Sequence, residues 1–192
     1  MSSASGIINL KITLLGDGYV GKTSLRLRYL GQGFETEYLG TLGADFAVRN
    51  SIFKGRKMRY QIWDIAGQKS FKKIREAFYL GSQAALILFD ITNQKSLENV
   101  NNWIQELWEH NGKGKIPILI IGNKIDLRDT WDNPLLPEDG KTVANEFSKE
   151  AGFTVPYLET SAKTGENVDE AFEKVTEMFY EHYGLLKNSR KK

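Results

Sequence analysis

The sequence predicts an open α/β fold, in which helices pack against both faces of a mostly parallel sheet. The apolar runs 84–89 and 116–121 are unbroken, which is typical of strands covered on both sides, as in parallel sheets. Strand patterns alternate with helical patterns along the chain. A glycine-rich turn at 16–23 also joins an apolar run to a helical stretch. At 192 residues, 41% of them hydrophobic, the chain is long enough for one domain with a substantial core.

The first half of the chain predicts a strand, a helix and a hairpin. A buried strand is expected over 7–15, and a helix from the glycine-rich turn to about Leu30, where two glycines end it. Residues 34–43 contain glycines and show no periodicity, which indicates a mobile loop. Alternation from Ala44, a glycine turn at 54–56 and a second alternating run predict the hairpin.

The second half predicts helices alternating with buried strands. Helices are expected over 69–80 and 97–108, the second lying between the two apolar runs. A helix over 142–151, a last strand over 153–158 and a helix from Val168 to Phe179 complete the domain. We therefore predict one domain over 7–183, a disordered N-terminus over 1–6 and a basic flexible tail over 184–192.

Composition narrows the classes of partner. A net charge of +2 is too small to indicate a nucleic-acid-binding protein, and the absence of cysteine excludes disulfides and thiolate metal sites. No signal peptide or membrane span is evident, so we expect a cytoplasmic monomer. The tail has four basic residues but no cysteine for a lipid anchor. We expect at most weak, transient attraction to anionic membranes, about 1 kcal/mol per charge.

The strongest functional signal is the turn at 16–23, which matches G-x-x-x-x-G-K-[ST]. Its backbone N–H groups and the N-terminus of the following helix are expected to hold nucleotide phosphates. Lys22 would contact the β- and γ-phosphates, and the Thr23 hydroxyl would bind Mg²⁺. The expected nucleotide contacts in this turn are Gly18, Tyr19, Val20, Gly21, Lys22, Thr23 and Ser24.

A second group of residues is expected around the γ-phosphate. Asp64 follows the second hairpin strand, where a carboxylate can hold Mg²⁺ through water. Gly67 can offer a bare N–H to the phosphate, and Gln68 can orient an attacking water. Thr41 lies in the glycine-containing loop and can join Mg²⁺ when that loop closes on the phosphate.

A third group is expected to recognise the base. Asp126, in the run Asn123-Lys124-Ile125-Asp126, is the decisive residue, because guanine presents two donors that one carboxylate can accept. Adenine has no donor at either place, and charge-assisted bonds contribute roughly 1.5–3 kcal/mol each. In the segment Thr160-Ser161-Ala162-Lys163, backbone N–H groups would meet the guanine oxygen and the Lys163 stem would cover the base.

These motifs, in this order and each after a predicted strand, resemble the Ras superfamily of small GTPases over about residues 8–182, and the Rab family most. The resemblance implies a three-layer P-loop NTPase fold with a six-stranded, mostly parallel sheet and one antiparallel edge strand. The supporting residues are Gly16-Asp17, Tyr38-x-x-Thr41-x-Gly43-x-Asp45-Phe46, Trp63 to Gln68, Phe89-Asp90-Ile91-Thr92 and Glu159 to Lys163.

The resemblance implies a GTP/GDP switch with Mg²⁺ as cofactor and slow GTP hydrolysis, serving signalling or vesicle trafficking. Switch loops at about 34–45 and 66–79 would report the nucleotide to effectors, exchange proteins and GTPase-activating proteins. Effectors would also contact Phe46, Trp63 and Phe78, for which a place in the core is the alternative. Phe34 would flank the guanine, and the catalytic residues would be Lys22, Thr41, Gly67 and Gln68.

No arginine is an evident internal finger for the transition state. Arg75 in the second switch is a weak candidate, and we expect a partner to supply this residue. Gly18 would leave room for it, because any side chain there would crowd Gln68.

Three features depart from the family pattern. Tyr19 replaces a small residue of the phosphate loop, where it could lie over the nucleotide or touch the first switch and alter exchange. The segment 128–138 is longer than in typical Rab proteins, as either a tolerated loop or a partner surface. The missing C-terminal cysteine puts a lipid-anchored cycle in doubt.

Two other readings remain open at this point. One is a binding module that holds nucleotide without hydrolysing it; Gln68, Thr41 and Gly67 argue against it, and Tyr19 leaves it open. The other is an adenylate-using kinase or ATPase, against which Asp126 speaks.

Overall fold

A computed structural model of the chain describes residues 6–33, 41, 43–68 and 72–185, with the side chains of 72–74 left out. Our predictions for the N-terminus up to residue 5, for Phe34 and most of the first switch loop, for 69–71 and for the tail beyond 185 lie outside these residues. Within them, six strands form one sheet in the order β2-β3-β1-β4-β5-β6. The strands are β1 (Ile8–Leu15), β2 (Ala44–Phe53), β3 (Arg56–Ile65), β4 (Ala84–Asp90), β5 (Ile118–Asn123) and β6 (Tyr157–Thr160).

The sheet has the predicted mixture of directions. β1 lies parallel to both β3 and β4, and β5 lies parallel to β4 and β6. β2 pairs antiparallel with β3 and forms the edge, and the hairpin turns at Lys54 and Gly55, which both have positive φ. The expected six-stranded, mostly parallel sheet with one antiparallel edge strand is confirmed.

Two apolar clusters separate the sheet from its helices. The cluster on one face includes residues of α1 (Lys22–Tyr29) and α6 (Val168–His182), whereas the other face packs against the remaining helices. β4 and β5 are buried along their whole length, because both of their faces are covered. The other helices are α2 (Lys72–Tyr79), α3 (Gln94–Glu98), α4 (Val100–His110) and α5 (Pro137–Ala151).

Several predicted bounds were wrong. The last strand begins at Tyr157 rather than at 153, because Pro156 has no N–H to donate to the ladder. α5 begins at Pro137 rather than at 142, since proline is well tolerated in a first helical turn and Asp139 accepts the N–H of Leu136 at 2.7 Å. The helix expected over 97–108 is two helices, the first capped by Asn93.

The topology brings every predicted motif to one edge of the sheet. The five parallel strands all end at this edge, and the chain connections diverge from β1 in the middle of the strand order. In open α/β sheets, ligands bind outside the carboxyl ends of the strands near such a switch point. Gly16, Ala66, Ile91, Lys124 and Ser161 each follow directly on a strand that ends there.

Candidate nucleotide-binding site

The turn between β1 and α1 is built from backbone in special conformations. Gly21 has φ +99°, and a Cβ added there would overlap the Asn123 amide. α1 starts directly afterwards at Lys22 with no side-chain cap, and the first N–H groups of an α-helix have no partner within the helix. Unpaired N–H groups at a helix N-terminus are a ready anion site.

Lys22 lies across this turn. Its Nζ donates to the carbonyl oxygens of Gly16 and Asp17 at 2.8 and 2.7 Å, and the residue is buried. Burial lowers the pKa of Lys22 to about 8, while the charges of Asp64 and Asp17 oppose the shift. The ammonium group is therefore placed where an anion held by the turn would stabilise its charge.

The three predicted magnesium ligands meet beside Lys22. The Thr23 hydroxyl is 2.9 Å from the Thr41 hydroxyl and donates to the Asp64 carboxylate. Asp64 is fully buried, and its Oδ1 has no hydrogen-bond partner among the described atoms. Burial raises the pKa of the Asp64 carboxyl, opposed by the Thr23 hydrogen bond and the Lys22 charge.

This donor set fits a hard cation. It contains only hydroxyl and carboxylate oxygens, which Mg²⁺ prefers, and the orphaned Asp64 oxygen is a buried anionic atom without a partner. Over the described parts of the chain, no group of three or more His, Cys, Asp and Glu side chains gathers elsewhere as a rival metal site.

The second switch begins against the phosphate loop. Gly18, Tyr19, Lys22, Thr41 and Gln68 line a small cavity of about 10 Å³ together with Ala66 and Gly67. A Cβ added to Gly67 would overlap the backbone of residues 16–18, so only glycine allows this approach. At Gly18, by contrast, an added Cβ meets nothing within 4 Å. The expectation that any Gly18 side chain would crowd Gln68 was therefore wrong for a methyl group.

Tyr19 has an unusual backbone conformation. Its φ is +65°, a left-handed value that costs a residue with a side chain roughly 1–2 kcal/mol, and its side chain is 66% exposed. Tyr19 is thus an exposed residue of the phosphate turn that also lines the same small cavity.

Asn123 holds the phosphate turn to the base-side segment. Its Nδ2 donates to the Val20 carbonyl at 2.8 Å, and its Oδ1 accepts from the Thr160 hydroxyl at 3.0 Å and the Ala162 N–H at 3.2 Å. The residue is 1% exposed. From the end of β5, Asn123 therefore joins the phosphate turn to the segment 160–163 through three hydrogen bonds.

Asp126 lies beside the segment 160–163. Its Oδ1 accepts from the Ser161 hydroxyl at 2.6 Å, and the carboxylate stays partly exposed. Lys124 adopts a left-handed backbone and forms an ion pair with Asp90 at 2.6 Å, while the Lys163 side chain is exposed. Ser24, the last predicted contact of the phosphate turn, is the third residue of α1.

Sequence reasoning missed four supporting hydrogen bonds, two donated by Arg28 and two accepted by Asp17. Arg28 donates to the carbonyl oxygens of Ala162 and Lys163, which orients that segment. Asp17 accepts from Asn99 and Trp103 at 2.6 and 2.8 Å, tying the phosphate turn to α4. No local sequence pattern predicts these hydrogen bonds, since the bonded residues are 82 to 135 positions apart.

Arg75 does not serve as an internal finger in this arrangement. The residue is 4% exposed, and its guanidinium is paired with Glu106 of α4. The weak candidacy of Arg75 was therefore wrong, and a partner's arginine stays the expectation.

The three predicted effector aromatics form a row. Ring centroids lie 4.9 Å apart for Phe46 and Trp63 and 5.8 Å apart for Trp63 and Phe78. Phe46 is 46% exposed, whereas Trp63 and Phe78 are only partly exposed. Lys11 lies over the Trp63 ring at 4.7 Å, so Trp63 belongs to both the surface and the underlying packing.

The chain is similar to known proteins over most of its length. The model of the Ras family matches residues 11–181. Human Ras-related protein Rab-8B is 39% identical over 162 residues, covering 84% of this chain and 74% of the relative. Ras-related protein RABG3f of Arabidopsis thaliana is 40% identical, covering 85% and 79%, and Ras-related protein SEC4 of Candida albicans is 36% identical, covering 91% and 79%. This chain therefore belongs to the Ras family as a Rab-like small GTPase, a guanine-nucleotide-binding switch that hydrolyses GTP.

Proposed function

We propose that the edge of the sheet formed by 16–24, 41, 64–68, 123–126 and 160–163 is the site where this GTPase binds and hydrolyses GTP. The observation that carries the proposal is the convergence of Thr23, Thr41 and Asp64, which come from three separate segments and meet at the Thr23 hydroxyl. Lys22 lies next to them on a turn that suits phosphate. Asp126 and Ser161 lie on the base side, beyond the Asn123 brace.

Thr23, Thr41 and Asp64 would hold Mg²⁺, Asp64 through water, and the ion would neutralise charge that develops on the phosphates. Lys22 and the N–H groups of 18–24 would hold the β- and γ-phosphates, and the Gly67 N–H would meet the γ-phosphate. Gln68 would orient the attacking water. Because the Arg75 guanidinium is paired with Glu106, we expect the chain to hydrolyse GTP slowly on its own, as small GTPases do without a partner's arginine.

The nucleotide state would be reported by the two loops that touch the γ-phosphate. A γ-phosphate favours the ordered state by contacting Thr41 and Gly67, and effectors bind that state. Ras-family GTPases act with effector, GTPase-activating and exchange proteins in general. For this chain we assign effector contact to the row of Phe46, Trp63 and Phe78 and expect a monomer without nucleic-acid partners.

We also propose a role in membrane traffic on the cytoplasmic side, from the likeness to Rab-8B and SEC4. Within the described ranges, no helix is both long and apolar enough to cross a bilayer. We propose that any contact with anionic membranes is weak and is made through the basic residues of the tail.

Single-turnover hydrolysis of bound GTP by Gln68→Leu tests this assignment. We expect a hydrolysis rate at least about tenfold below wild type, because leucine cannot hold the attacking water in line with the γ-phosphate. The affinity for GTP should stay unchanged. Gln94→Leu, at an exposed position of α3, is the control and should match wild type. Equal rates for Gln68→Leu and wild type would remove Gln68 from the reaction and favour a site completed by other groups.

Tyr19→Gly is expected to speed GDP release by about three- to tenfold, as loss of one aromatic contact over a ligand would. Stopped-flow release of a fluorescent GDP measures this rate. Tyr19→Phe is the control for the hydroxyl and should release GDP at the wild-type rate. Unchanged release and hydrolysis in Tyr19→Gly would show that the ring has no part in exchange.

A further inference from the structure

We propose that Arg75 is a positioning residue for GTP hydrolysis, which holds the backbone of Gln68 in place from α2 while anchored on α4. The proposal rests on the role assigned to Gln68 above. Arg75 Nη1 donates to the Gln68 carbonyl oxygen at 2.8 Å, next to the phosphate turn. This hydrogen bond ties the guanidinium to the backbone that carries the Gln68 side chain.

Arg75 is held on α4 by a paired hydrogen bond to Glu106. Its Nε and Nη2 donate to the two carboxylate oxygens of Glu106 at 3.2 and 3.3 Å. Glu106 Oε1 also accepts from the Tyr79 hydroxyl at 2.9 Å, and the Arg75 guanidinium lies 4.4 Å from the centroid of the Trp103 ring. A planar guanidinium can make the paired, stacked and carbonyl contacts together, whereas a lysine ammonium cannot.

The same face of α4 also holds the phosphate turn. The Trp103 indole N–H donates to Asp17 Oδ1, and the side-chain amide of Asn99 donates to Asp17 Oδ2. Asn99 is the N-cap residue of α4, and Trp103 and Glu106 follow it at intervals of four and three, the spacing of neighbours on one helix face. α4 is therefore a common base for the turn that would hold the γ-phosphate and for the residue that would orient water against it.

The alternative is that Arg75 only holds α2 against α4. The two roles can be distinguished, because a second residue, Lys11, also holds α2. Lys11 Nζ donates to the carbonyl oxygens of Phe78 and Leu80, both at 2.7 Å, and so caps the C-terminal end of α2. Loss of the guanidinium should leave this end of α2 docked while it frees the Gln68 backbone at the other end.

The test is single-turnover hydrolysis by the full chain loaded with GTP, with GDP affinity and the thermal midpoint measured alongside. Arg75→Lys and Glu106→Gln should each slow hydrolysis about tenfold and leave GDP affinity within about twofold. In a Gln68→Leu background, Arg75→Lys should add no further loss, because the two residues act through one group. Arg49→Lys is the matched control, since Arg49 bonds the Tyr29 carbonyl and pairs with Asp169 on the other face of the sheet.

Each outcome decides. Wild-type rates in both Arg75→Lys and Glu106→Gln, even with a lowered thermal midpoint, would overturn the proposal in favour of a structural ion pair. An equal loss in the wild-type and Gln68→Leu backgrounds would overturn it as well. A wild-type rate in Gln68→Leu itself would instead overturn the role of Gln68, which separates failure of the proposed function from failure of this inference.

Discussion

Asp126→Asn is expected to weaken binding of GDP and GTP by about 10²- to 10⁴-fold. Guanine directs its N1–H and its 2-amino group at one edge, where a carboxylate can accept both. Two charge-assisted bonds at roughly 1.5–3 kcal/mol each would be reduced, and the asparagine amide would turn a donor toward two donors. The partly exposed Asp126 side chain next to Ser161 is free to serve this purpose on the outer side of the site.

Titration with fluorescent GDP measures the change, with ATP as a competitor. Asp129→Asn, at an exposed carboxylate three residues later, should bind like wild type. Binding of GDP by Asp126→Asn at wild-type strength, or displacement of GDP by ATP at similar concentration, would contradict guanine recognition by Asp126.

Asn123→Ala is expected to lower both the stability of the fold and its nucleotide affinity. The substitution leaves the Val20 carbonyl, the Thr160 hydroxyl and the Ala162 N–H without the partner they have now. An unsatisfied buried group costs about 1–3 kcal/mol, so we expect a loss of about 2–5 kcal/mol in the free energy of unfolding. For a domain of this size, that loss lowers the thermal midpoint by about 5–15 °C.

Calorimetry or thermal circular dichroism measures the midpoint without nucleotide. The control is Asn102→Ala, at an exposed position of α4, where alanine favours the helix. A midpoint within about 2 °C of wild type for Asn123→Ala would mean that water satisfies the three groups and that Asn123 is no brace.

Local pattern was sufficient for much of the fold. The runs 84–89 and 116–121 predicted buried parallel strands, and both form interior strands of the sheet, β4 and β5. The predicted ends of helices and strands were wrong where a single residue outweighed the apolar periodicity. Pro156 delayed β6, and Pro137 started α5 earlier than its apolar spacing suggested. Periodicity reports which face is buried, whereas termini depend on individual N–H groups and caps.

The sequence by itself determined the fold class, the phosphate turn and the residue types around a guanine nucleotide, because these depend on patterns within about ten neighbouring residues. Only the tertiary structure decided how those residues support one another. The Asn123 brace joins residues 103 positions apart, and the Trp103 bond to Asp17 spans 86. Arg75 showed the same limit. Its charge and its place in the second switch are visible in the sequence, but whether its guanidinium binds phosphate or Glu106 depends on where α4 packs. Such choices depend on which side chains the sheet order brings together, and local spacing carries no information about them.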